Sequence, residues 1–325
     1  MKFVKIFVPV FMSLVLFLGI AQPVGGAVKT SEHISNKVFR LHILANSDST
    51  DDQNIKLMLK NYILENTQDI IGGKTLDEAI ENAKNNTKEI TDMCNDYLKS
   101  KGFDYEIAFF GGSFTAIDRE YMISLLKAAN KYIKSNEVKG IRISTRPDCI
   151  DEEILDLLKK YGVTSIELGA QSMDDEVLLA NRRGHTAKDV ENASELIKSY
   201  GFELGLQMMT GLYKDSEEKA IKTAEKIIAL SPQTVRIYPT VVLKGTYLAD
   251  LYLSGEYKPL NADESAQLCA KLVLLFEKNN IKIIRLGLHS SEDIKKNMLA
   301  GGFHDSFGEL VKSRIMVDKI LALPP

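Results

Sequence analysis

Glycine and arginine residues that could hold a small polar ligand follow two of the predicted strands. Gly111-Gly112 comes directly after an apolar run, and because these residues lack β-carbons, their backbone amides can approach a ligand closely. A tight turn from strand to helix is the alternative for such a pair. Further on, Ser144-Thr145-Arg146-Pro147-Asp148 contains Arg146, whose planar cation suits a bound carboxylate but also suits an exposed ion pair.

Two later segments hold polar residues that also allow two interpretations. Glu167 lies inside an apolar run with Gln171 just beyond it, so Glu167 is either paired with a structural partner or faces a site at the strand end. Arg182-Arg183-Gly184-His185-Thr186 is dense in charge, which suits a solvated loop or a clamp for an anionic group. His185 could titrate near neutral pH, or its ring could cover the start of the helix that Thr186 begins.

The cysteines and histidines do not form a recognisable metal-binding pattern. Cys94, Cys149 and Cys269 are far apart in the sequence, and in an exported chain three cysteines cannot all pair internally. His289 and His304 occur without a third obvious ligand, so no zinc site is predicted. Cys94 occupies an apolar helix position and is expected to be a small core residue.

From Tyr105 onward, short apolar strands alternate with amphipathic helices, which indicates parallel strands joined by crossover helices. The predicted strands are Tyr105–Phe110, Gly140–Thr145, Ser165–Leu168, Glu203–Met208, Thr234–Tyr238 and Lys282–Leu286. The helices between them are expected to end at glycines that adopt the left-handed conformation, as at Gly162 and Gly201. Six such strands fit a doubly wound sheet or a partial TIM barrel, and in both folds ligands bind beyond the carboxyl ends of the strands.

The start of the chain has the pattern of a signal peptide, predicted here as residues 1–27. Met1-Lys2 and Lys5 precede an apolar run from Ile6 to Ala21, and Gly25-Gly26-Ala27 supplies the small residues that a signal peptidase needs. An uncleaved membrane anchor and a buried helix are the alternatives, although a membrane helix needs about 20 apolar residues. The sequence therefore predicts export or membrane association.

Residues 28–104 are predicted to form a small α+β segment. Val38–Leu44 has β-type composition, and Thr50-Asp51-Asp52-Gln53 has the form of a capping box that begins a helix. Thr75-Leu76-Asp77-Glu78 begins a second helix in the same way. The apolar stripe of this second helix consists of Leu76, Ile80, Ala83, Ile90, Cys94 and Tyr97.

The N-terminal segment, from about Met1 to Gly102, resembles stage II sporulation protein R. The resemblance is carried by Arg40-Leu41-His42-Ile43-Leu44-Ala45-Asn46-Ser47-Asp48 and by Asp51-Asp52-Gln53, behind a signal peptide. It implies an exported signalling protein of spore-forming bacteria that triggers proteolytic activation of a sporulation sigma factor across the septum. It also implies a signalling partner at a membrane.

The remainder, from about Tyr105 to Met316, resembles the radical SAM superfamily in the branch of anaerobic coproporphyrinogen oxidases and the catalytic subunit of Elongator. The matching stretches are Phe109-Phe110-Gly111-Gly112-Ser113-Phe114-Thr115, Ile143-Ser144-Thr145-Arg146-Pro147-Asp148, Ile166-Glu167-Leu168-Gly169-Ala170-Gln171-Ser172, Arg183-Gly184-His185-Thr186, Ile237-Tyr238-Pro239-Thr240 with Gly245-Thr246, and Arg285-Leu286-Gly287-Leu288.

This second resemblance implies a partial TIM-type (β/α)6 barrel, of the α/β class, that binds S-adenosylmethionine. The residues that it assigns to cofactor binding are Gly111, Gly112, Ser113, Ser144, Gln171 and Arg183. The first three would hold the methionyl amine, and the last three would contact the ribose and the carboxylate. The resemblance leaves the catalytic residues and the substrate unassigned.

The sequence departs from the radical SAM pattern at one point. Members of that superfamily begin with a strand and a CxxxCxxC loop, whose thiolates hold the 4Fe-4S cluster that cleaves S-adenosylmethionine. This sequence has no such motif, and its three cysteines have a different spacing. The missing strand also leaves Tyr105–Phe110 at a sheet edge, which Val38–Leu44 could fill.

The sequence therefore predicts a composite of three parts: a signal peptide or membrane anchor (residues 1–27), a segment resembling stage II sporulation protein R (28–104) and a radical SAM-like partial barrel (105–325). In this composite, an enzyme domain with impaired catalysis follows an exported signalling segment. The alternatives are a non-enzymatic sporulation signal and a reading frame that joins fragments of two genes. A net charge of −3 and near-average composition indicate no nucleic-acid footprint. The N-terminus predicts export, whereas the barrel family is normally cytoplasmic.

Overall fold

The computed structural model describes residues 50–321, except residues 74, 104, 105, 111 and 290. The described chain divides into two units, one of residues 50–103 and one that begins at residue 106. The predicted signal peptide and the predicted strand Val38–Leu44 lie outside the described residues. Within the described part of the chain, no helix combines the length and the apolar character needed to cross a membrane.

The first unit is a small group of helices with a core of its own. Its helices are α1 (Thr50–Asn66), α2 (Gln68–Ile71), α3 (Leu76–Asn85) and α4 (Thr87–Ser100). Cys94 is only 3% exposed in this core, as expected of a small apolar residue. The rings of Tyr62 and Tyr97 stack with centroids 3.9 Å apart, which joins α1 to α4.

The helix predicted to run from Thr75 to Tyr97 is two helices that meet at Asn86. Thr75 accepts a hydrogen bond from the Glu78 amide, so the predicted start is confirmed. The Asn86 side chain donates to backbone carbonyls, including that of Ile70, and the Thr87 hydroxyl donates to carbonyls of the preceding turn. Such side chains compete with backbone hydrogen bonding, which explains the interruption that the apolar stripe did not reveal.

The second unit contains six parallel strands in sequential order, β1-β2-β3-β4-β5-β7. These strands are β1 (Glu106–Phe109), β2 (Gly140–Thr145), β3 (Val163–Gln171), β4 (Glu203–Thr210), β5 (Thr234–Pro239) and β7 (Lys282–Leu286). Because the order never reverses, the sheet is a partial TIM-type barrel and not a doubly wound sheet. All six predicted strands are present, with β3 extended at both ends.

Helices alternate with the strands along this part of the chain. They are α5 (Arg119–Lys134), α6 (Glu152–Lys160), α7 (Asp175–Ala180), α8 (Ala187–Ser199), α9 (Glu217–Ala229), α10 (Tyr247–Leu253), α11 (Ala262–Lys278), α12 (Glu292–Asn297) and α13 (Phe307–Leu321). Gly162 and Gly201 follow α6 and α8 with φ of +81° each, so the predicted left-handed helix ends are confirmed.

Side chains alternate along the strands between an apolar outer face and a polar inner face. The outer-facing residues, such as Ile141, Ile143 and Leu206, are buried with the helices in one core. A two-stranded antiparallel sheet of β6 (Val241–Leu243) and β8 (Met298–Gly301) was not predicted. Both strands are too short to show a period in the sequence.

Candidate functional site

The loop after β1 contains the glycines to which the sequence assigned ligand binding. Gly111 lies outside the described residues. Gly112 is exposed, and a β-carbon built on it would meet no protein atom within 4 Å. The space beside Gly112 is therefore open to a ligand. The Ser113 hydroxyl, in contrast, lies 2.9 Å from Thr145 Oγ1 and accepts a 3.0 Å hydrogen bond from the Arg146 amide.

At the end of β2, Ser144 and Arg146 have partners within the protein. Ser144 Oγ accepts a 2.9 Å hydrogen bond from Gln207 Nε2 on β4. Arg146 pairs with Asp148 through two hydrogen bonds, one of them 2.8 Å from Nε to Oδ1. Both side chains are partly exposed, so the interpretation of Arg146 as an exposed ion-pair partner is confirmed.

At the end of β3, Gln171 has an unusual backbone conformation and a side chain without a protein partner among the described residues. Its φ is +63°, in the left-handed region that favours glycine. A β-carbon on Gly169 would lie 2.6 Å from Gln171 Nε2 and 3.8 Å from the Thr145 carbonyl oxygen. Gly169 therefore leaves room for the Gln171 amide beside the end of β2.

The side chain of Arg183 is a half-buried cation that makes no hydrogen bond or ion pair with any described residue. Burial lowers the pKa of Arg183, and the positive charge of Arg146 lowers it further. A β-carbon on Gly184 would lie 3.0 Å from Arg146 Nη2, so the absence of a side chain lets Arg146 approach this loop closely. An anionic group would relieve both effects on Arg183.

Glu167 is paired inside the sheet, which decides between the two alternatives left open by the sequence. It is 1% exposed and accepts two hydrogen bonds from Arg236, of 2.6 Å from Nε and 3.0 Å from Nη2. Gln207 Nε2 also donates, at 3.2 Å, to Oε2, the oxygen that accepts from Arg236 Nε. The bidentate Arg236 contact raises the pKa of that guanidinium although burial opposes it.

A second arginine extends this charge network toward the amino ends of the strands. Arg142 donates 3.0 Å to Glu106, 3.2 Å to Glu203 and 3.4 Å to Glu167. Burial alone would lower the pKa of Arg142, but the three carboxylates raise it. The inner face below the candidate site thus contains a layer of paired charges.

The remaining polar residues of the Arg182–Thr186 segment have structural partners. The Arg182 guanidinium lies 3.8 Å from the ring centroid of Tyr247. His185 is 7% exposed, and its Nε2 donates 3.1 Å to the Ala170 carbonyl. Thr186 and Asp189 form a capping box at the start of α8. His185 is therefore tied to the end of β3, and the capping contacts of α8 come from Thr186 and Asp189.

The three cysteines lie on three separate elements of the described structure. Cys94 belongs to α4, Cys149 to the 3-10 turn Pro147–Cys149, and Cys269 to α11. Burial raises the pKa of the Cys94 thiol to about 11 and that of Cys269 to about 12, which disfavours their thiolates. No group of three metal-ligating side chains occurs in the part of the chain that the structure describes.

A separate pocket of about 460 Å³ lies beside the loop that follows β4. Its lining includes Leu212, Asp215, Tyr257, Leu260 and Leu268. Burial raises the pKa of Asp215 to about 6, although hydrogen bonds from the amides of Ser216 and Gly211 oppose the shift. The Tyr257 hydroxyl donates to the Gly211 carbonyl, and burial raises its pKa.

Three residues that contribute to this end of the sheet were not singled out in the sequence. They are Thr145, Gln207 and Arg236, each on a strand. Gln207 and Arg236 are polar positions within apolar strands, at the two-residue spacing of one sheet face, and that signal could have identified them. The role of Thr145 depends on contacts with the loop after β1, which no local pattern encodes.

Two protein-family models match the chain. Residues 83–227 match the model described as the radical SAM superfamily, and residues 232–316 match that of the Radical_SAM C-terminal domain. Together they cover the sheet described above. The strand order of the partial barrel agrees with this assignment.

Curated relatives and one solved structure show the same similarity. The tRNA uridine(34) acetyltransferase of Methanocaldococcus jannaschii is 30% identical over 227 residues, which are 63% of this chain and 41% of that protein. Human Elongator complex protein 3 is 32% identical over 191 residues, 52% of this chain and 35% of its own length. The chain spans about a third to a half of the curated relatives it matches.

Among solved structures, the archaeal Elp3 of Methanocaldococcus infernus with an N-terminal deletion matches with a TM-score of 0.59 at 25% identity. The match covers 71% of this chain and 58% of that one. It agrees with the partial barrel described above.

Proposed function

Because the chain contains a radical SAM-family domain, we propose that the carboxyl ends of β1, β2 and β3 bind S-adenosylmethionine. The ligand-facing groups are the open backbone at Gly112, the amide of Gln171 and the guanidinium of Arg183. Ser113 and Ser144 contribute through the loop and strand conformations that their hydroxyl contacts maintain. Gly111 remains part of the proposed site by its place in the sequence.

The state of Arg183 carries the proposal. It is a half-buried cation without a described protein partner, and its pKa is lowered by burial and by a neighbouring arginine. A carboxylate such as that of a bound amino acid group would supply the missing counter-charge through a bidentate contact. The neighbouring Arg146 is already paired with Asp148, so Arg183 is the more available of the two.

We further propose that the chain binds this cofactor without cleaving it reductively. Cleavage in the radical SAM superfamily needs an electron from a thiolate-held cluster, and the three cysteines lie on separate elements. Without the iron that normally chelates the amino and carboxylate groups, the affinity rests on protein contacts alone. It is therefore expected to be weak.

Isothermal titration with S-adenosylmethionine tests the site. Arg183→Ala and Gly112→Val should each abolish measurable binding, the first by removing the counter-charge and the second by filling the open space. Arg314→Ala, which removes an exposed arginine of α13, and Lys131→Ala on the outer helix α5 should bind like the unaltered chain. Equal titration curves for all five proteins would exclude the assignment.

For the N-terminal part of the chain we propose an exported signalling segment of the stage II sporulation type. The proposal rests on the Arg40–Asp48 motif and on the basic, apolar and small-residue regions of residues 1–27. The test is a fusion of Met1–Lys37 to a reporter that is active only outside the cytoplasm. The fusion should be active, and charged residues in place of Leu14–Leu18 should silence it; an inactive native fusion would reject export.

A further inference from the structure

The hydroxyl of Thr145 lies at the centre of a hydrogen-bonded group that joins the end of β2 to the loop after β1. Thr145 is 3% exposed. Its Oγ1 lies 2.9 Å from Ser113 Oγ and 2.5 Å from Thr115 Oγ1, and it accepts a 3.3 Å hydrogen bond from the Thr115 amide. Three contacts from one loop therefore converge on one buried side-chain atom.

The direction of each hydrogen bond in this group follows from the two backbone groups at its ends, the Arg146 amide and the Cys149 carbonyl. The Arg146 amide can only donate, so Ser113 Oγ accepts from it at 3.0 Å. The Cys149 carbonyl can only accept, so the Thr115 hydroxyl proton points to it at 2.7 Å. Thr115 must then accept from Thr145, and Thr145 must accept from Ser113. The three hydroxyls form one directed chain, in which Thr145 donates once and accepts twice.

We propose that Thr145 is a positioning residue for the loop Gly112–Thr115 and so for the ligand that this loop holds. The inference rests on the proposed S-adenosylmethionine site, because that ligand would lie against the backbone at Gly112. A β-carbon on Gly112 would meet no protein atom within 4 Å, so Gly112 has no close packing on its ligand-facing side. The loop conformation must therefore come from its other contacts, which converge on Thr145.

Phe114 provides the second attachment of the same loop, but it acts differently. It is 6% exposed and its ring stacks on Phe109 with centroids 4.8 Å apart. This apolar contact holds the loop against the core, but it does not select one orientation of the backbone amides. Directional hydrogen bonds supply that selection. The hydroxyl chain and the aromatic contact can thus be separated experimentally.

The test compares Thr145→Val, which keeps the shape but removes the hydroxyl, with Thr145→Ser, which keeps the hydroxyl. Hydrogen exchange by mass spectrometry is measured on peptides covering residues 107–117 and 144–150, together with titration of S-adenosylmethionine. Thr145→Val should raise exchange in both peptides and weaken binding by about tenfold or more, because the Ser113 hydroxyl and the Thr115 amide lose their acceptor. Thr145→Ser should return both quantities to within about twofold of the unaltered chain.

Thr91→Val supplies the matched control, since Thr91 is a partly buried residue of α4 whose hydroxyl contacts only its own helix. The Thr91→Val variant should show the same hydrogen exchange in the two peptides, and the same affinity for S-adenosylmethionine, as the unaltered chain. The positioning role is wrong if Thr145→Val leaves hydrogen exchange unchanged. It is also wrong if Thr145→Val raises hydrogen exchange without weakening the binding of S-adenosylmethionine. If the unaltered chain binds no S-adenosylmethionine while Thr145→Val still loosens the loop, the proposed cofactor fails and the loop attachment stands.

Discussion

Two arginines at the strand ends differ in how their charge is balanced. Arg146 shares a bidentate pair with Asp148, whereas Arg183 has no described counter-ion and a pKa lowered by burial and by Arg146. In the sequence Arg146 precedes Pro147 and Arg183 stands between Arg182 and Gly184, and residue type does not distinguish the two. Only their surroundings separate an ion-pair partner from a candidate anion-binding residue.

At the residue scale, the buried Glu167 carboxylate should be essential for stability. Glu167→Gln would leave the guanidinium of Arg236 buried without its charged partner, a change that typically costs about 3–5 kcal/mol. The quantity to measure is the urea midpoint, followed by circular dichroism and converted to a free energy of unfolding.

Glu153→Gln is the matched control for this prediction. It breaks the pair with Arg119, in which both side chains are more than half exposed, and should cost under about 1 kcal/mol. Similar midpoints for Glu167→Gln and Glu153→Gln would mean that the buried network contributes no more than a surface pair.

At the scale of single elements, the connection between β4 and α9 contains the partly buried carboxyl group of Asp215. Lys214 has a φ of +65°, and Gly211 reaches +71° with its carbonyl held by Tyr257. Asp215 closes the turn by accepting hydrogen bonds from two backbone amides, of 3.0 Å and 2.9 Å. The connection is shaped by this side chain, not by regular secondary structure.

The stability of the chain should depend on pH through Asp215. Burial raises the pKa of Asp215 from 3.8 to about 6, so the neutral form is favoured in the folded state. The favourable contribution of the neutral Asp215 side chain to the free energy of unfolding is fully present below pH 3.8. It is lost as the pH rises through about 6. The free energy of unfolding of the unaltered chain, relative to Asp215→Asn, should therefore fall between pH 4 and pH 7, by up to about 3 kcal/mol.

Chemical denaturation at several pH values measures this difference. Asp250→Asn, at an exposed position of α10, controls for the loss of one carboxylate as such. A difference that rises with pH would show that the amide hydrogen bonds outweigh burial at Asp215.

At the scale of the whole molecule, the cysteines should remain independent of one another. They lie on α4, on the turn after β2 and on α11, and two of them have pKa values raised by burial. Anaerobic reconstitution with iron and sulfide should therefore give no stoichiometric cluster, because a 4Fe-4S cluster needs several thiolates at one point. Iron and sulfide assays with visible absorption spectra provide the measurement.

Cys149→Ser serves as the comparison for reconstitution, since Cys149 is the least buried of the three cysteines. It should retain the same background iron as the unaltered chain. A broad charge-transfer band with about four irons per chain, lost in Cys149→Ser, would contradict the prediction and restore cluster chemistry to this domain.

Much of the fold followed from the sequence because its signals are local. Apolar runs of strand length between amphipathic helices predicted all six parallel strands, and Gly162 and Gly201 marked helix ends through their backbone freedom. The choice between a doubly wound sheet and a partial barrel needed the strand order, which depends on pairing between distant segments. The small sheet of β6 and β8 escaped notice because three or four residues carry no period.

For the candidate site too, some features were determined by the sequence and others by the tertiary structure. The sequence by itself determined which residue types stand at the strand ends, since glycine, serine, glutamine and arginine follow apolar runs there. The tertiary structure decided how each side chain is paired. Glu167 is a buried ion-pair partner, Arg183 has no counter-ion among the described residues, and Thr145 is the centre of the hydroxyl chain. Hydrogen-bond partners and desolvation depend on segments tens of residues away, and only the folded sheet brings those segments together.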